Sequence, residues 1–184
     1  MGGSGTRIEV RTARLRLVAL DAWLARLQLH ARDAFFTTLD ARREAAWPPE
    51  LKDFFSMDRA LAALDAAPYE AGWHGWVFLM PVQGGPDRAV GAGGFHGAPG
   101  SGGTIEISYA MLPSFREQGL ATEAVEGLLD WAFTHANVTS VRARTPAHLA
   151  ASRRVLEKTG FRQTGEATES GEQVADYVRA APQR

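Results

Sequence analysis

The sequence contains no cysteine, which excludes disulfides, thiolate metal sites and a cysteine nucleophile. It carries almost no net charge, −1 from 20 basic and 21 acidic residues. Broad electrostatic capture of nucleic acid or of an anionic membrane is therefore not expected, and any anion binding must be local. No apolar run approaches the roughly 20 residues of a membrane span. The opening Met1–Val10 lacks the apolar core of a signal peptide. Gly2 with Thr6 matches a lipidation pattern, but no polybasic second signal lies beside it. Gly-Gly-Ser-Gly there reads as a flexible tail. The histidines His30, His74, His96, His135 and His148 have no metal-ligand spacing, so no metal is expected. Surface or loop roles are their default, with His74 and His96 able to line an acceptor cleft. A cytoplasmic protein with no nucleic-acid or membrane partner follows as the expectation.

What is present fits one folded unit. A chain of 184 residues, 45% apolar and 22% charged, can bury a sizeable core. We find no internal repeat and no second-domain linker. Residues 1–13 read as a flexible tail and lead-in, and residues 14–184 as a single domain.

The most informative stretch is Thr104–Ala124. Thr104, Glu106, Ser108 and Ala110 share one face of a strand, and Ile105, Ile107, Tyr109 and Met111 the other. Pro113 ends the ladder. A short loop follows, and Gly119 permits a turn that a β-carbon would hinder. From Leu120 the apolar residues recur at helical spacing, through Ala124, Val125, Leu128, Leu129 and Ala132. Strand, Arg116, glycine and helix start together make an anion site, because first-turn amides lack intrahelical partners and carry the positive end of the helix dipole. Arg116 can add a bidentate donor for phosphate. An ordinary strand–turn–helix unit with a solvated arginine is the alternative reading of the same residues.

Along the chain, Arg14–Leu20 reads as a first strand. Asp21 is an N-cap, with Trp23, Leu24, Leu27 and Ala31 as the inward stripe of a helix. A further helix is expected to about Arg43, stopped by Pro48-Pro49. Ser56 should cap a helix that turns Leu61 and Leu64 inward and ends at Pro68. Trp76–Val82 and Arg88–His96 read as a hairpin, with Gly91, Gly93 and Gly94 marking a bulge or close backbone approach. Trp47, Phe54, Phe55 and Trp73 should close the core or form a wall beside the acceptor. After the helix Leu120–His135 come the strand Val138–Arg144 and the helix Leu149–Lys158, which packs Val155 and Leu156 and meets Gly160 as its C′ residue. Phe161–Gln163 and Val174–Arg179 should pair around a polar loop, Gly165–Glu172. The order is α+β with a mixed central sheet of about seven strands flanked by helices.

Arg116-x-x-Gly119-x-Ala121-Thr122-Glu123-Ala124 resembles the acyl-CoA-binding loop of the GNAT superfamily of N-acyltransferases. Ile105-Glu106-Ile107-Ser108-Tyr109 is similar to the family's fourth strand. Ala151-Ser152-Arg153-Arg154-Val155-Leu156-Glu157-Lys158-Thr159-Gly160-Phe161 is similar to its next helix and closing Gly-Phe. The likeness runs from about Arg14 to Phe161, nearest the branch of ribosomal-protein N-terminal acetyltransferases.

The resemblance implies a single-domain GNAT-like fold with a V-shaped parting between the fourth and fifth strands. It implies acetyl-CoA as cosubstrate and transfer of acetyl to a primary amine by direct attack in a ternary complex. The acceptor would be a protein N-terminus or a small-molecule amine, and a homodimer is among the forms it allows. It places the pantetheine arm on amides near Tyr109, Met111 and Leu112. The pyrophosphate would sit on the loop of Arg116, Glu117, Gln118, Gly119, Leu120, Ala121 and Thr122, with Ser152 beside the donor. Glu106 is the candidate catalytic base, since a partly buried carboxylate tends toward a raised pKa. Its alternative is a cross-strand partner for Arg142 or Arg144. Glu123 is better explained by the helix dipole. Two positions depart from the family pattern: Leu149 stands where relatives have Asn, and Leu156 where some have a Tyr acid. Those departures support a rival reading, a non-catalytic acyl-CoA-binding module. A phosphate-loop nucleotidase is excluded, because no Lys-Ser/Thr follows a Gly-rich loop.

Overall fold

Apolar and polar residues alternate along Thr104–Met111 and Ser140–Pro146, whereas Gly75–Met80 is apolar and buried almost throughout. The computed structural model describes residues 7–50 and 57–183. Its strands are β1 (Glu9–Arg11), β2 (Arg16–Ala19), β3 (Ala41–Arg42), β4 (Gly75–Met80), β5 (Asp87–Phe95), β6 (Thr104–Met111), β7 (Ser140–Pro146), β8 (Arg162–Glu169) and β9 (Glu172–Ala180). The helices are α1 (Ala22–His30), α2 (Arg32–Thr38), α3 (Met57–Ala66), α4 (Leu120–Phe133) and α5 (Ala150–Lys158). The strand order is β1-β2-β4-β5-β6-β7-β9-β8, with β3 beside β5, nine strands among the described residues. The seven predicted from sequence are β2 and β4 to β9. The additions are the three-residue β1, inside the stretch read as a lead-in, and the two-residue β3.

The β6–β7 pair sets up the site. These strands run parallel and pair from Thr104↔Ser140 to Ile107↔Ala143. Beyond that, β6 continues to Met111 along β5, and β7 to Pro146 along β9, without pairing each other. This is the expected V, between the strands that are fourth and fifth in the family's count. One face of the pair buries Ile105, Ile107, Val141 and Ala143. Helix α5 lies on that face, its Arg153 reaching Tyr177 Oη at 3.0 Å, and α4 packs Trp131 on Trp73, Trp76 and Phe95. Glu106, Ser108, Arg142 and Arg144 alternate onto the opposite face.

Several local expectations need correction. Asp21 does cap α1, accepting from Leu24 N at 2.7 Å, but the buried stripe is Leu24, Ala25 and Leu27 while Trp23 is exposed. Helix α2 stops at Thr38 rather than near Arg43, because Asp40 turns to φ 49° and the chain enters β3. The last hairpin has no long polar loop: β8 and β9 extend to a tight turn at Ser170-Gly171, both at positive φ. His74 is buried rather than superficial, 3.1 Å from Glu70. Trp47 and Trp73 are buried as expected, whereas Ser56, Phe54 and Phe55 lie outside the described residues.

Candidate active site

The loop after β6 is a short 3-10 turn, Pro113–Phe115, followed by Arg116 to Gly119. Gly119 takes φ 77°, a left-handed value that favours glycine. The first intrahelical bond of α4 runs from Glu123 N to Gly119 O at 3.1 Å. The amides of Leu120, Ala121 and Thr122 therefore precede the helix ladder and leave its positive end open. Arg116 donates from Nε to Met111 O at 3.1 Å, which holds its guanidinium at the end of β6. Gln118 donates from Nε2 to Ser114 O at 2.9 Å and so braces the loop.

Glu123 does more than complement the dipole. Its Oε1 accepts from Thr12 Oγ1 and from Arg14 N, both at 2.6 Å, and its Oε2 from Arg14 Nε at 2.7 Å. Arg14 also donates from Nη1 to Gln118 O at 2.9 Å. The β1–β2 connection is thereby bolted to the anion loop. Burial raises the Glu123 carboxyl, but the hydrogen bonds from Thr12 and Arg14 outweigh it and hold the group below the usual carboxylate range.

A cleft of about 840 Å³ opens between the diverging strands and runs to this loop. Of the residues predicted to bind the donor, Tyr109, Met111, Arg116, Glu117, Gly119, Ala121, Thr122 and Ser152 line it. Gln118 and Leu120 do not; Leu120 turns its side chain into the core. Leu112 has to be withdrawn from the strand-edge donors. Its amide donates to Val90 O and its carbonyl accepts from Phe115 N, both at 2.9 Å, and its side chain is buried. Because Leu112 faces β5, the alternate residues Tyr109 and Met111 direct their backbone groups to the unpaired side, into the cleft.

The far wall is α5. Tyr109 Oη donates to Ser152 O at 3.2 Å, and burial pushes its phenol up to about 12. Arg154 and Lys158 also line the cleft, cations that sequence reading did not assign. The signal was available: positions 151, 154, 155 and 158 recur on one helical face. Leu149 lies at the start of α5, 37% exposed and on the cleft wall.

The opposite face of β6 carries the other half. Glu106 faces its parallel partner Arg142, whose Nη2 donates to Oε2 at 3.1 Å. The cross-strand pairing read from sequence as its alternative role is thus formed. His96, just after β5, places Nε2 2.7 Å from Ser108 Oγ and Nδ1 3.9 Å from Glu106 Oε1. Burial pulls the imidazole below its ordinary value, partly countered by the Glu106 charge. Arg144 lines both the donor cleft and a second cavity of about 490 Å³ on this face. It is paired with Asp176 and Glu169. Among the described residues no cluster of three His, Cys, Asp or Glu could hold a metal, and no helix is long and apolar enough to cross a membrane.

Comparisons with known proteins bear on the family and the fold. The family profile described as acetyltransferase (GNAT) domain matches residues 21–162. The uncharacterized N-acetyltransferase YjdG of Bacillus subtilis is 29% identical over 164 residues, 84% of this chain and 89% of that protein. Two solved structures superpose over nearly the whole length. The ribosomal-protein-S5-alanine acetyltransferase of Vibrio fischeri has TM-score 0.64 at 15% identity, covering 95% of this chain and 97% of that one. RimL, the ribosomal L7/L12 alpha-N-protein acetyltransferase, in complex with coenzyme A has TM-score 0.63 at 15% identity, covering 94% and 98%. With the profile spanning most of the sequence, the chain belongs to the GNAT family as an acetyl-CoA-dependent N-acetyltransferase.

Proposed function

We propose that this enzyme transfers acetyl from acetyl-CoA to the primary amine of a protein N-terminus or a small molecule, by direct attack in a ternary complex. The observation that carries the reading is the end of β6–β7 pairing at Ile107↔Ala143. It leaves the β6 edge at Tyr109 and the Met111 amide unpaired by β7 and able to meet the pantetheine arm as an added strand would, while Met111 O is held by Arg116. The cleft then leads the pyrophosphate to the Leu120–Thr122 amides and Arg116, with Arg154 and Lys158 adding positive charge. Ser152 stands beside the arm at the start of α5. The acetyl group would lie where β6 and β7 part, open to the face that bears Glu106 and Ser108. With no cysteine in the chain, an acyl-thiol intermediate is excluded, and attack by the amine on the thioester carbon is the direct course. Initial rates with both substrates varied test this. Intersecting lines are expected, and parallel lines would indicate an acetyl-enzyme instead.

Two variants probe the donor side. Arg116→Ala should weaken acetyl-CoA binding by about 1–3 kcal/mol, in a salt-sensitive manner, since a charge-assisted contact to phosphate is lost. Calorimetry at two ionic strengths measures this; an unchanged affinity removes Arg116 from the cradle. Leu149→Asn restores the amide that relatives carry, at an exposed position on the cleft wall. It should leave the fold intact and tighten acetyl-CoA by about 0.5–1.5 kcal/mol, the net value of one hydrogen bond. Thermal unfolding with and without acetyl-CoA distinguishes that outcome from simple destabilisation.

A further inference from the structure

The amine that attacks a thioester must first lose a proton, because an ammonium has no lone pair. Glu106 is the carboxylate the sequence offers for that task, but its Oε2 is engaged by Arg142 at 3.1 Å. The group beside it is better placed. His96 Nε2 lies 2.7 Å from Ser108 Oγ, and Ser108 lines the donor cleft on the strand where β6 and β7 part. Register fixes this meeting: Gly94 opposes Ser108 across the β5–β6 ladder, and His96 N donates to Glu106 O at 3.0 Å. His96, Ser108 and Glu106 therefore converge on the sheet face opposite α5, beside the cleft.

We propose that Ser108 and His96 form the route by which the acceptor ammonium loses its proton, with Glu106 placed to balance the imidazolium that results. Ser108 Oγ takes a proton from the ammonium while passing its own to His96 Nε2. The neutral amine attacks the acetyl carbon; the C–N bond forms, the C–S bond breaks, and CoA leaves as its thiolate. The second proton shed by the nitrogen goes to that thiolate, and the imidazolium returns its proton to solvent. The charged groups around the imidazole among the described residues include Glu106, near Nδ1, and Arg142 on the other oxygen of Glu106. A neutral imidazole is the working form, and its downward shift keeps it neutral at physiological pH. The relay rests on the direct-transfer reading above.

The test uses acetyl-CoA with two probe acceptors, a short peptide with a free N-terminus and spermidine. His96→Gln and Ser108→Ala should each lower kcat by about 10²-fold with little change in the KM for acetyl-CoA. The double variant should be no slower than either single one, because both break one path. Ser108→Thr keeps the hydroxyl and should recover activity. In the wild type, kcat/KM should fall with acid on a limb below the ordinary histidine range. His96→Gln should abolish that limb, and Glu106→Gln, which removes the charge that raises the imidazole, should move it to lower pH. Calorimetry and thermal unfolding confirm that each variant still folds and binds acetyl-CoA. A His96→Gln enzyme as fast as wild type, or with its acid limb intact, overturns the relay and leaves direct transfer standing. Acetyl found on Ser108 without acceptor overturns both, making the hydroxyl a nucleophile. A folded wild type that acetylates neither probe while it binds acetyl-CoA removes direct transfer for these acceptor classes, and the relay with it.

Discussion

Gly119→Val is expected to reduce acetyl-CoA affinity by about 2–4 kcal/mol, more than the loss of Arg116, from combined backbone strain and steric cost. Gly119 sits at φ 77° as the residue that caps α4. A β-branched side chain is held there only under strain, since the left-handed region crowds its β-carbon. Space is not what forbids the change, since a β-carbon here meets a single side-chain atom within 4 Å; the cost behind the loop is the left-handed backbone itself. A β-carbon at this position would lie 3.4 Å from Arg14 Nη2, and Arg14 is the residue that joins Gln118 O to Glu123. Valine would thus strain the turn that presents the helix amides while only touching the end of Arg14 behind it. Calorimetry with acetyl-CoA and with acetyl-pantetheine, which lacks the pyrophosphate, separates these effects. The variant should lose discrimination between the two donors; equal losses on both would place the pyrophosphate elsewhere.

A second large effect is expected at Gly94, as a loss of stability. Gly94 has φ 142°, a conformation that side-chain-bearing residues rarely adopt. A β-carbon there would run into the His74 carbonyl oxygen and come within 2.9 Å of its carbonyl carbon and 3.1 Å of Gly75 Cα. All three are backbone atoms of the adjacent segment at the start of β4, so no rotamer change relieves the clash. Gly94→Ala should cost about 2–5 kcal/mol, from backbone strain and overpacking together. For a domain of this size that is a midpoint lower by roughly 5–15 °C. The damage should also reach the chemistry, because the β5 register carries His96 to Ser108. Thermal unfolding and kcat should fall together, and a variant as stable as wild type would mean that β5 runs differently past His74.

Legibility in the sequence follows the length of the periodic signal. The β6–loop–α4 unit was readable because eight alternating residues are followed by fourteen at helical spacing, with proline and glycine at the junctions. β1 and β3 were not, since two or three residues carry no period and exist only through pairing with β2 and β5. β8 was read too short for a different reason: it is an edge strand exposed almost throughout, so neither face demanded apolar residues. Hydrophobicity alone points Trp23 inward, yet one turn of α1 buries Leu24 and Leu27 without it.

The candidate site divides in the same way. The loop is local in sequence, so most of its cleft-lining residues are legible there, whereas Gln118 and Leu120 lie off the cleft and Leu120 turns into the core. The Thr12–Arg14–Glu123 bracket and the His96–Ser108 contact join residues 109 to 111 and 12 positions apart. Both depend on strand register, which spacing along the chain does not report. Leu112 was misread for the same reason, because the direction of a strand amide is set by its neighbour and not by residue type.

Catalysis itself is tested most directly by thiol release from acetyl-CoA across a panel of small amines and short peptides, with mass spectrometry of the products. CoA should appear only when an unblocked primary amine is present, in step with an N-acetylated product. Tight binding of acetyl-CoA with no acetylated product from any amine would contradict the transferase assignment and favour a non-catalytic acyl-CoA-binding module.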